Sequence, residues 1–169
     1  MERRITLDYI LRHYSKKKLH QLDAAVLQIL RIGIYQLKYM DRVPDAAAIH
    51  TCVALTRSFR KSSASGFVNA VLRQYVRDEK KVPESDDPLE AASVLYAVPI
   101  WLEKKLVQQY GKQAAHAFLE NALQTPPITI RRNVQMGDAV AFQKAVPGAN
   151  PHPVLPDAYL LHGTNAVSY

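Results

Sequence analysis

The chain has 169 residues, 48% hydrophobic and 22% charged, enough for one good core or two small ones, which excludes wholesale disorder. A single cysteine, Cys52, excludes an intramolecular disulfide framework and a multi-cysteine zinc site, and no run approaches the roughly 20 apolar residues of a membrane span. The net charge of +7 is uneven: residues 1–81 hold 16 lysines and arginines against 7 acids, whereas residues 82–169 hold 6 against 8.

A basic half joined to a near-neutral half points to a polyanion partner for the first, with solubility charge as the competing explanation. No apolar region follows Met1-Glu2-Arg3-Arg4, so the start is not a signal peptide and a cytoplasmic location is expected. Leu7, Ile10, Leu11 and Tyr14 then follow the spacing of one buried helix face, with Thr6 as the expected N-cap. After the solvated run Lys16-Lys17-Lys18, Asp23 caps a helix over about 24–40 carrying Val26, Ile29, Leu30, Leu37 and Met40 on one face. Gly33 inside it costs about 0.5–1 kcal/mol against alanine, which a close helix approach would offset.

Asp41-Arg42-Val43-Pro44 reads as a turn, and Asp45 as the cap of a third helix whose stripe is Ala48, Ile49, Cys52, Leu55 and Phe59. Gly66 is expected to let the chain turn into a fourth helix with Phe67, Val68, Val71, Leu72 and Tyr75 inward. Four such side chains per helix contribute about 6–12 kcal/mol before entropy, far more than a surface ion pair. The charges are thereby left for recognition.

Residues 78–88 read as a linker. Asp87-Pro88 opens a helix near 89–97, Pro99 opens one over 99–110 closed by Gly111, and another over 112–124 stops at Pro126-Pro127. The periodicity then changes. Ile128 to Asn133 alternates as a strand, followed by a short helix near 138–145 and a strand pair near 152–155 and 158–162. The expected fold is therefore mainly α, a helical bundle followed by the start of a small α/β domain. Sheets that stop abruptly need more strands, so continuation beyond Tyr169 is expected.

Motifs for chemistry are absent. The six glycines form no G-x-G cluster for a dinucleotide or S-adenosylmethionine, and the histidines lack metal-ligand spacing, His152 and His162 being a remote pair across a hairpin. Cys52, on an apolar stripe, reads as buried and structural rather than nucleophilic. No catalytic residue, metal or cofactor is expected within this sequence.

Gln28-Ile29-Leu30-Arg31-Ile32-Gly33-Ile34-Tyr35-Gln36-Leu37, then Asp41-Arg42-Val43-Pro44, then Gly66-Phe67-Val68-Asn69-Ala70-Val71-Leu72-Arg73 resemble a NusB-type domain. They most resemble the version fused to the Sun (RsmB) family of 16S rRNA cytosine-5 methyltransferases. Pro126 to Asn133 is similar to that family's entry into its small α/β domain. The resemblance implies a NusB-like helical region over 1–77, lacking its first helices, then the linker, further helices over 89–125 that pack on the bundle, and a truncated α/β domain over 126–169. It also implies ribosomal RNA as partner, a catalytic domain later in the same chain, and S-adenosylmethionine as that parent enzyme's cofactor.

The candidate RNA contacts are Lys16, Lys17, Lys18, Arg57, Arg60, Lys61, Arg73, Arg77 and Arg131, which would act as one basic patch if they converge. Arg131 and Arg132 alternate on a strand, so one is placed to reach RNA while the other supports packing. Asn69 is expected to fix the neighbouring loop, with RNA contact as its other reading. Tyr14, Tyr35, Tyr39 and Tyr75 are expected in the core rather than stacked on bases. Two rivals stand beside this reading: a stand-alone NusB-type antitermination factor, and an interaction domain whose charge only solubilises it.

Overall fold

The computed structural model describes residues 3–124 and 126–161, and the chain forms two compact units, Met1–Ala122 and Leu123–Tyr169. The first unit holds α1 (Arg4–Tyr14), a 3-10 turn (Leu19–Gln21), α2 (Ala24–Tyr39), α3 (Asp45–Ser58), a second 3-10 turn (Ser62–Ala64), α4 (Ser65–Arg77), α5 (Pro88–Tyr96), α6 (Ile100–Tyr110) and α7 (Lys112–Ala122). Helix α2 is central and packs on α1, α3 and α4. Its inward face, Val26, Ile29, Leu30, Ile34 and Leu37, meets Leu7, Ile10 and Leu11 of α1 and Val68, Val71, Leu72 and Tyr75 of α4 in one core. Gly33 is the close approach: a Cβ there would lie 2.7 Å from Leu72 Cδ1 and 3.1 Å from Cys52 Sγ.

Caps decide where these helices start. Asp23 accepts the Ala25 and Val26 amides, and Asp87 accepts that of Leu89 ahead of Pro88, both as expected from sequence. Thr6 departs from expectation. It lies inside α1, buried, and its hydroxyl donates to the Val94 carbonyl at 2.6 Å, tying α1 to α5. Asp45 does not cap α3 with its side chain but begins the helix after Pro44 and pairs with Lys80 at 2.7 Å. Phe59 turns outward beyond the end of α3, and Thr56 fills the inward position instead.

Residues 78–87 are a packed strap rather than a free linker. Tyr14 donates to the Asp78 carboxylate at 2.6 Å and to the Lys81 carbonyl at 3.2 Å, Tyr9 donates to the Glu84 carbonyl, and Val82 rests on the core.

The second unit is a three-stranded antiparallel sheet of β1 (Ile128–Arg131), β2 (Ala149–Pro151) and β3 (Ala158–Leu161) in the order β1-β3-β2, with α8 (Ala139–Ala145) between β1 and β2. Asp138 caps α8. The strand expected over 152–155 is instead a turn, where His152 Nδ1 accepts the Val154 and Leu155 amides. The paired strand lies at 149–151 because Ala149 opposes Leu161 and Pro151 opposes Tyr159. His162 lies outside the described residues. Among the described residues no helix is long and apolar enough to cross a membrane.

Candidate nucleic-acid interface

The end of α1, the starts of α2 and α4, and the end of α3 meet at one end of the bundle. Lys61, just past α3, pairs at 2.6 Å with Asp23, the cap of α2. Lys17, in the loop after α1, holds its Nζ 5.8 Å from the ring centre of Phe67 at the start of α4. These two contacts bring Lys16, Lys17, Lys18, Arg57, Arg60 and Lys61 to a common end of the fold. Beside the lysine loop lies an open hollow of about 500 Å³ that Arg12 and His20 also line. Sequence reasoning missed both, although the buried spacing of α1 already places Arg12 on its solvent face.

The acids present decide how much of this charge is available. Arg31 pairs with Asp8, Lys61 with Asp23, Lys80 with Asp45 and Lys81 with Glu79. Among the described residues no acid lies within ion-pair distance of Lys16, Lys17, Lys18, Arg57 or Arg60, and all five are exposed. Lys61 is the exception, since its bond lowers the Asp23 carboxyl below the usual range, an effect the Ala25 and Val26 amides reinforce.

Arg73 and Arg77 form a separate zone. They line a hollow of about 430 Å³ with Asp45, Ala46 and Ile49, at the start of α3. Arg57 lies at the other end of that helix, roughly 18 Å away at 1.5 Å per residue. Arg73 also donates to the Asn69 side chain at 3.0 Å, so Asn69 orients an arginine rather than a loop. Arg131 belongs to the sheet unit and is exposed, whereas Arg132 donates to the Gly137 carbonyl and the Asp157 carboxylate and is structural. The alternation expected along this strand therefore separates the two.

Cys52 is fully buried, its thiol 3.7 Å from the Ile29 carbonyl, and burial raises its pKa to about 11. It is a packing group, not a nucleophile. Tyr75 is buried and its hydroxyl is pushed up by desolvation, while Tyr35 is exposed against Tyr39 at 5.2 Å between ring centres.

Residues 1–77 match the NusB family, and residues 98–168 match the RsmF/B-like methyltransferase ferredoxin-like domain. The chain carries the NusB-like region of the Sun (RsmB) family. A Bacillus subtilis protein named "Probable ribosomal RNA small subunit methyltransferase B" is 33% identical over 141 residues, 82% of this chain and 31% of its own length. A Sodalis glossinidius ribosomal RNA small subunit methyltransferase B is 29% identical over 159 residues, 92% of this chain and 36% of its own. The chain thus spans about a third of the length of the curated relatives it matches.

The described residues do not fit S-adenosylmethionine. Gly33 is filled by Leu72, Gly66 lies within α4, Gly111 joins two helices, and Gly137 and Gly148 sit in separate turns of an antiparallel sheet. Among the described residues only Gly137 lies in a strand-to-helix connection, from β1 to α8, and it stands there without the further glycines of a cofactor-cradling loop.

Proposed function

We propose that this NusB-like region holds ribosomal RNA for a cytoplasmic, S-adenosylmethionine-dependent rRNA cytosine-5 methyltransferase, the methyl transfer itself belonging to a catalytic domain of the kind the longer relatives carry. One observation supports it above others: five exposed cations without an acidic partner among the described residues gather at one end of the bundle, beside Lys61, which is paired with Asp23. Lys16, Lys17, Lys18, Arg57 and Arg60 are the main phosphate contacts, with Lys61 held in reserve by Asp23. Arg73 and Arg77 are a second, separate contact zone on the bundle, and Arg131 is a candidate contact of the sheet unit taken by itself.

The ferredoxin-like match favours this reading over a stand-alone antitermination factor, because a NusB domain alone does not account for residues 98–168. About five neutralised phosphates give a log–log salt slope near −3.5 on a single strand. A titration of the purified chain with ribosomal RNA segments at several salt concentrations tests this. Binding that is absent or insensitive to salt would remove the RNA role and leave the charge as a solubility device.

A further inference from the structure

The apolar stripe of α3 points toward Phe59, yet the chain reverses before that ring reaches the core. The Lys61 amide donates to the Thr56 carbonyl at 2.7 Å and the Arg60 amide to the Arg57 carbonyl at 2.9 Å, with Arg60 at φ 57°. This is a Schellman turn with arginine where glycine usually stands. Thr56 occupies the inward position, fully buried, and its hydroxyl meets the Ser65 hydroxyl at 2.6 Å. The turn therefore fixes Phe59 outward, with 57% of its surface exposed.

A lone exposed ring is ordinary. Phe59 differs by its setting, between Arg57 on one side and Arg60 and Lys61 on the other, at the bundle end that also carries the lysine loop. Cations beside an accessible ring match what unpaired RNA offers: phosphates for the charges and a free base face for the ring. A duplex hides its base faces and would use the cations alone.

We infer that Phe59 is a stacking platform for one unpaired base, so that this end of the bundle selects single-stranded over double-stranded RNA. The inference rests on the RNA-holding reading above. The test compares the purified chain with its Phe59→Ala and Phe59→Trp variants, using an oligouridine of about twelve nucleotides and an RNA duplex of the same length. Phe59→Ala should weaken oligouridine binding about five- to tenfold and leave the salt slope unchanged, since no phosphate contact is lost. Phe59→Trp should restore binding, and the duplex should bind all three proteins alike and more weakly than the single strand binds the parent chain. The ring is exposed, so thermal midpoints should agree among the three. If oligouridine binds but Phe59→Ala matches the parent, or duplex binds as tightly as single strand, the stacking role is overturned while the RNA reading stands. If neither RNA binds, both are overturned.

Discussion

Gly33 and Gly66 are the same residue type in two helices of one bundle, and they face opposite demands. At Gly33 an added Cβ would meet both terminal carbons of Leu72, at 2.7 and 2.8 Å, and Cys52 Sγ at 3.1 Å. Leu72 and Cys52 are themselves fully buried, so neither side chain has room to retreat. Overpacking of this kind costs about 1–3 kcal/mol, against a helix-propensity gain of about 1 kcal/mol. Gly33→Ala should therefore destabilise the fold by up to about 2 kcal/mol. At Gly66 nothing lies within 4 Å and the backbone is helical, so Gly66→Ala should stabilise by up to about 1 kcal/mol. Urea midpoints at unchanged m-value measure both, and shifts of the same sign would sink the packing account. The role of Gly33 was legible because a glycine on an apolar helical stripe gives up both helix propensity and side-chain burial, a loss that only a close neighbour offsets. Gly66 was misread because its neighbours look like a turn, whereas the left-handed residue of that loop is Arg60.

At the scale of elements, Asp23 serves two helices at once, capping α2 and holding Lys61 beyond the end of α3. Its carboxyl is lowered first by Lys61 and then by the two amides. The sign follows: this contribution to stability is present above the ordinary aspartate pKa and is lost as pH falls through the lower folded value. Asparagine caps a helix about as well as aspartate but carries no charge. Asp23→Asn should lower the thermal midpoint slightly near neutral pH, since an exposed ion pair contributes little, while releasing Lys61 to meet a phosphate. RNA affinity should rise, and the salt slope should steepen by about 0.7, one further phosphate on a single strand. Unchanged or weaker binding in the same titration would show that Lys61 lies off the RNA path. The cap was readable from Asp23 standing before an apolar period. Its pairing with Lys61 was not, because 38 positions separate the two in sequence and only the antiparallel packing of α2 and α3 brings them together. The sheet shows the same limit: β2 is three residues long and includes Pro151, too short for any period to mark it.

For the whole molecule, the boundary of the family match and the boundary of the stable fold differ. The NusB match ends at residue 77, yet buried groups of α1 find their partners beyond it. Thr6 donates to the Val94 carbonyl, Tyr14 to Asp78 and Lys81, and Val82 closes over the core. A chain ending at Arg77 would exchange the Thr6 hydrogen bond for water, a loss of about 0.5–1.5 kcal/mol, and would lose the burial of Val94, about 1.5–2 kcal/mol, and the partial burial of Val82, about 1 kcal/mol. The combined loss of about 3–4.5 kcal/mol is a sizeable part of the 5–15 kcal/mol typical of a domain. Residues 1–77 alone should therefore unfold at much lower urea than residues 1–122, as followed by helical circular dichroism. Burial and then the Asp78 bond raise the Tyr14 hydroxyl to about 12, so this contribution is fully present below its ordinary value of 10.0 and is lost as pH rises through the higher one. The gap between the two chains should accordingly narrow across that alkaline range. Equal midpoints at neutral pH would mean that the strap and α5 merely cover a bundle that is already complete.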